Sequence, residues 1–259
     1  MNAPSAPAPR RPPSPVEIDA AGLPARALNE AVRAALKGGA PEVVLRGVNG
    51  QRYIGAGLSG GARIVIEGVP GNDLACFMAG PRIEVRGNAQ DGVGNTMSAG
   101  AVVVHGHAGD VLGYSMRGGR ILVRGNAGYR VGIHMKAYRD RSPVVIVGGT
   151  VRAYFGEYMA GGTLAVLGIG CAEDEPLAGD FVGTGMHGGE IYLRGAVEPW
   201  QLGREVGAVE IDDAAWQQFR PHLEAFAQAF GLDAAQFPRE SFTRLRPVSH
   251  RPYGKIYVH

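Results

Sequence analysis

Three stretches decide the fold: Met78-Ala-Gly-Pro-Arg-Ile-Glu-Val-Arg-Gly87, Met97-Ser-Ala-Gly-Ala-Val-Val-Val-His-Gly106 and Met116-Arg-Gly-Gly-Arg-Ile-Leu-Val-Arg-Gly125. They repeat one pattern every 19 residues, with methionines at 78, 97, 116 and 135, then at 159 and 186 after steps of 24 and 27 residues. Every methionine except Met1 marks the same position of this unit. A fixed period of this length signals stacked structural repeats. Within each unit a short aliphatic run (Ile83–Val85, Val102–Val104, Ile121–Val123, Val144–Val147, Leu164–Leu167, Ile191–Leu193) sits between glycine turns and reads as a strand. The turns Gly87-Asn88-Ala89 and Gly125-Asn126-Ala127, with Gly106-His107-Ala108 between them, supply residues that tolerate sharp corners. A flexible glycine-rich linker would not keep methionine, strand and turn in register through six units.

One such unit exposes too much apolar surface to stand alone, so neighbouring coils must cover it through backbone ladders. The expected fold class is all-β: a right-handed parallel β-helix (β-solenoid) of about 19 residues per coil, with short helical caps at both ends. Composition agrees. Glycine contributes 41 of 259 residues without a collagen period, and 45% of the chain is hydrophobic. A net charge of +2 gives no global demand for nucleic acid or a membrane. Cys76 and Cys171 stand far apart in no metal spacing, as in a protein of the cytoplasm, and no apolar run of membrane-spanning length or secretion signal is present.

Working outward, residues 1–15 form a proline-rich leader expected to be disordered, and residues 16–54 an N-terminal helix (Leu28, Val32 and Leu36 on one face, stopped at Gly38-Gly39) and capping segment. Residues 55–200 form the β-helix. Residues 201–259 form a helix from Asp212-Asp213 to Phe230, with Trp216, Phe219, Leu223 and Phe230 on its apolar face, followed by a basic extended arm. The helix is expected to close the far end of the solenoid, and the arm to dock on its side or on another subunit. Two coils carry insertions, a basic one at 136–141 and an acidic one around Cys171–Glu175, and such loops often meet partners.

Catalytic constellations are scarce. Asp91 and Asp110 stack one coil apart, as a carboxylate pair or as turn residues. His105 and His107 form a His-x-His with no third ligand in view, and His107 stands in the asparagine column as a turn substitute. No catalytic residue and no metal site is expected in this chain. The polar feature that stands out is cationic: Arg117, Arg120, Arg124, Lys136, Arg139 and Arg141 are candidates for binding a carrier or a partner. Stacking also sets Arg82 two coils from Arg120, and aligns Arg86, His105 and Arg124 in a second row. A solvated face neutralised by Glu84 and its neighbours is the alternative.

The Gly-Asn-Ala turns, the approaches Gly113-Tyr-Ser-Met-Arg-Gly-Gly119, Gly156-Glu-Tyr-Met-Ala-Gly-Gly162 and Gly183-Thr-Gly-Met-His-Gly-Gly189, and the phrase Val131-Gly-Ile-His-Met-Lys136 resemble the family of β-helical C-type subunits of formylmethanofuran dehydrogenases. The resemblance spans about residues 55–200, and the same right-handed β-helix forms the C-terminal domain of glutamate synthase. It implies a scaffold subunit without an active site or cofactor of its own. In the bacterial setting the complex is a formyltransferase/hydrolase of one-carbon metabolism and formaldehyde oxidation. A methanofuran-type polyglutamyl carrier takes the formyl group from formyl-tetrahydromethanopterin, and the product is formate. The implied partners are a hydrolase subunit, a formyltransferase subunit and a third subunit, with no nucleic acid and no membrane. Alternatives are the equivalent C-type subunit of an archaeal-type molybdenum or tungsten formylmethanofuran dehydrogenase, a stand-alone β-helix enzyme acting on polysaccharide, and a glutamate synthase-like spacer with a glutaminase partner.

Overall fold

The computed structural model describes residues 14–172 and 175–248. Eleven strands form one continuous sheet in the order β1-β2-β3-β4-β5-β6-β7-β8-β9-β11-β10. In chain order they are β1 (Val16–Asp19), β2 (Glu42–Asn49), β3 (Arg63–Val69), β4 (Ala79–Arg86), β5 (Ala99–Val104), β6 (Arg120–Val123), β7 (Val144–Val147), β8 (Ala160–Val166), β9 (Gly188–Leu193), β10 (Val206–Val209) and β11 (Thr243–Pro247). Helix α1 (Ala25–Lys37) joins β1 to β2, and α2 (Asp213–Phe230) lies between β10 and β11. Pairing is parallel from β1 through β9, so the chain is the parallel β-solenoid that the 19-residue period predicts.

The register explains why every unit repeats a three-residue aliphatic run. Ile64, Ile83, Val102, Ile121, Val145, Leu164 and Ile191 stack in one inward column. Ile66, Val85, Val104, Val123, Val147, Val166 and Leu193 stack in a second. The methionine column, Met78, Met97, Met116, Met135, Met159 and Met186, joins them in the same core, each fully buried. Unbranched thioethers fill the irregular space that stacked β-branched residues leave. On the asparagine corner each side chain accepts from the next coil. Asn88 Oδ1 accepts from His107 N at 2.8 Å, His107 Nδ1 from Asn126 N at 2.9 Å, and Asn126 Oδ1 from Thr150 N at 3.0 Å. His107 is thus a turn residue in the asparagine column, as its position predicts.

Three features differ from the boundaries expected. The ladder starts at Val16 rather than near residue 55: β1 and β2 are rungs, and α1 is the crossover between them, sending Leu28 and Val32 into the interior. Val43-Val44-Leu45 alternates as Ile64-Val65-Ile66 does, but this coil has no methionine to mark it. The C-terminal arm is a strand, since β11 pairs antiparallel with β9 and β10 with β11. Leu245 drops into the core while Arg244 and Arg246 turn outward to Glu190, at 2.5 and 3.6 Å. Arg251 and Lys255, like the leader through residue 13 and residues 173 and 174 of the acidic insertion, lie outside the described residues.

The third difference is α2, which lies along the side of the solenoid instead of across its far end. Its Ala215, Phe219, Leu223 and Phe226 pack on the outward residues Val103, Leu122, Ile146, Ala165 and Tyr192 of five successive strands. The Phe219 ring stacks on Tyr192 at 3.8 Å between centroids. In β4 the same outward position is Glu84, and there the helix ends. Asp212 caps its first turn, accepting from Ala215 N at 2.8 Å, and Gly231 ends it in the left-handed conformation.

Candidate functional site

The outer surface divides into three regions that could meet other molecules: a cation row on either flank of α2, the basic insertion, and the turn face.

Along one flank, at the C-terminal ends of the strands, Arg86, His105 and Arg124 follow Glu67 upward. This row carries its own counter-charges. Arg86 lies 3.4 Å from Glu67 and 3.8 Å from Glu84, and His105 Nε2 lies 3.3 Å from Glu84. Burial opposes ionisation of Glu84, but the hydrogen bond from Arg63 and the surrounding cations outweigh it and hold this carboxyl below its usual range. His105 also meets the Phe230 ring edge-on at 5.4 Å.

Along the other flank, at the N-terminal ends of the strands, the register aligns Arg82, Ala101 and Arg120. Neither arginine lies within salt-bridge distance of a carboxylate among the described residues. Burial and the charge of Arg82 both push the Arg120 guanidinium below its ordinary value.

The six candidate cations therefore do not form one surface. Arg120 and Arg124 lie at opposite ends of β6, with α2 seated between them on Leu122. Arg117 is engaged in the turn, donating to Ser115 O at 2.7 Å and His134 O at 3.0 Å. Lys136, Arg139 and Arg141 are exposed on a small hairpin closed by Tyr138 and Arg141. This hairpin lies over Gly118, so it belongs to the Arg120 side and not to the Arg124 side.

The turn face holds what sequence reasoning missed. In every coil three alternate residues have positive φ, for example Gly92, Gly94 and Thr96, then Val111, Gly113 and Ser115, then Arg130, Gly132 and His134. Glycine is the unstrained choice there, and a non-glycine residue costs roughly 1–2 kcal/mol. Yet Tyr53, Phe77, Tyr154, Tyr158 and Phe181 occupy such positions, with Phe77 62% and Phe181 48% exposed. They stack along the solenoid: Tyr154 on Phe181 at 5.0 Å, His134 on Tyr158 at 5.2 Å, and the Arg130 guanidinium over Tyr154 at 4.3 Å. The signal in the sequence was an aromatic residue two positions before or after the central residue of the turn, which is glycine in every coil but that of Ala75.

Asp91 and Asp110 prove to be ladder residues. Asp91 Oδ1 accepts from Asp110 N at 2.9 Å, and Asp110 Oδ1 from Tyr129 N at 2.8 Å. Among the described residues no group of three His, Cys, Asp or Glu side chains could hold a metal ion, and no helix is long and apolar enough to cross a membrane.

Comparison with known proteins agrees with this architecture. The chain is 42% identical over 251 residues to an uncharacterized protein of Methanocaldococcus jannaschii, covering 94% of this chain and 96% of that one. Among solved structures it is similar to a chain of the formyltransferase/hydrolase complex from Methylorubrum extorquens, crystallised with methylofuran. The TM-score is 0.58 and the identity 21%, over 85% of this chain and 86% of that one. At that identity the likeness is one of fold. The family model of the GXGXG motif matches residues 41–247, and the chain belongs to this GXGXG-motif family.

Proposed function

We propose that this chain is a non-catalytic scaffold subunit of a cytoplasmic, hetero-oligomeric enzyme complex of one-carbon metabolism. In this reading its partners are a hydrolase subunit, a formyltransferase subunit and a third subunit. Those partners move a formyl group from formyl-tetrahydromethanopterin, through a methanofuran-type polyglutamyl carrier, to formate. The observation that carries the reading is the fold shared over 85% of the chain with a component of such a complex. The physics is compatible: a continuous ladder of eleven strands is stiff, and it fixes surface features at multiples of about 4.8 Å. The stacked carboxylates Asp91 and Asp110 are used as turn acceptors, and exposed cations and aromatics are suited to contact.

A second reading is a spacer of glutamate synthase type with a glutaminase partner. It stands beside the first because the family model matched is the GXGXG motif as such, while the formyl-complex chain, at 21% identity, shares the fold.

The exposed hairpin tests the first reading. Reversing Arg139→Glu and Arg141→Glu together should leave the complex assembled but slow formyl transfer between its sites roughly tenfold, because the anionic carrier loses its steering charge. Unchanged turnover at low ionic strength would remove the basic loop from the mechanism.

A further inference from the structure

The two cation rows beside α2 differ in one respect that bears on binding: Arg86 and His105 face Glu67 and Glu84, whereas neither Arg82 nor Arg120 has a carboxylate partner among the described residues. Arg82 and Arg120 border a cleft of about 350 Å³ whose other walls include Ala101, Leu122, Ala225 and Gln228. Their Cα atoms are two coils apart, roughly 10 Å at about 4.8 Å per coil. Ala101, the small residue between them, leaves the space above the middle coil empty. Arg120 Nε is shut off from solvent and has no acceptor among the described residues. His222 Nδ1, on the facing side of α2, is likewise buried with no hydrogen-bond partner among the described residues. Burial and then the charge of Arg120 lower the pKa of that imidazole.

A buried, unpartnered guanidinium donor in a pair of uncompensated arginines is costly in a free chain. An oxyanion between the arginines would satisfy them, since the guanidinium fork matches a carboxylate in bidentate geometry. A second cleft, of about 480 Å³, lies along the same flank of α2, bordered by His222, Gln218, Thr163, Gly189, Glu190 and Arg246. An extended occupant could span both.

We infer that the groove between α2 and the N-terminal ends of β4–β8 binds an extended acidic segment of a partner protein, with Arg82 and Arg120 clamping its carboxylate groups. The inference rests on the chain being part of a complex but not on which complex, and it is tested on the isolated chain, so the two can fail separately.

The probe is a fluorescein-labelled, N-acetylated and C-amidated tetraglutamate peptide, titrated by anisotropy into the full-length chain at low salt. Arg82→Gln and Arg120→Gln should each weaken binding at least tenfold. Arg86→Gln, in the neutralised row, should change it less than twofold. Inorganic phosphate at matched ionic strength should not displace the peptide. Arg120→Gln should also keep or raise the thermal midpoint, because it removes an unneutralised, half-buried charge. The inference is overturned if wild type shows no saturable binding, if all three variants weaken it equally, or if phosphate competes as well as the peptide, which would make this a small-anion site. It is also overturned if Arg120→Gln unfolds the chain, which would make Arg120 a packing residue.

Discussion

Gly94→Ala is expected to lower the free energy of unfolding by about 2–5 kcal/mol, combining left-handed backbone strain with overpacking. Gly94 sits at φ +71°, and a Cβ there would come 2.3 Å from Ile121 Cδ1 and 3.9 Å from Met97 Cβ. The clash is with the end of the Ile121 side chain, which is fully buried and must shift within a packed interior. The preceding coil supplies the control. Ala75 occupies the same place at φ 60° and is itself buried, so the chain tolerates the strain alone. The strand residue in the corresponding place is Val102, one methyl shorter than Ile121. Ile121→Val should therefore restore part of the loss when combined with Gly94→Ala, giving a non-additive cycle by urea denaturation. A loss under about 0.5 kcal/mol would mean that the turn column does not press against the strand column as described.

The second large effect is expected at the helix. Phe219→Ala should cost about 3–5 kcal/mol, the range for deleting a buried aromatic ring. Phe219 stacks on Tyr192 at 3.8 Å, meets Phe242 edge-on at 5.4 Å, and also contacts Trp216. Removing it should loosen α2 before it disturbs the solenoid, exposing Val103, Leu122 and Ile146 as an apolar stripe. Hydrogen exchange should then accelerate first in Asp213–Phe230, with increased binding of a hydrophobic dye. Unaltered protection in the helix would contradict its role as a lateral clamp.

The solenoid was legible because its signal is repetitive: a methionine, a three-residue aliphatic run and a glycine–asparagine turn recur at nearly fixed spacing. The first coil was not, because Val43–Leu45 comes without a methionine and a helix separates it from its pairing strand β1. The position of α2 was written in the middle residue of each aliphatic run. From β4 onward that residue is Glu84 and then Val103, Leu122, Ile146 and Ala165, so the outer face turns apolar again where the helix lies. A period that marks the inner columns hides this second pattern. The basic cluster was misgrouped for a related reason. Residues Arg120 and Arg124 are close in sequence, yet a four-residue strand and the helix seated on it separate them. Proximity along the solenoid axis, which brings Arg82 beside Arg120, matters more than proximity along the chain.

The central claim is that this rod exists to hold other subunits, and a native mass spectrum of the tagged protein, drawn gently from its own host, tests it most directly. The predicted result is a single assembly containing three further subunits, among them a hydrolase chain and a formyltransferase. The chain appearing alone, as a monomer or a trimer, would contradict the scaffold reading. A glutaminase in place of the formyl-transfer subunits would keep the scaffold and contradict the chemistry assigned to its complex.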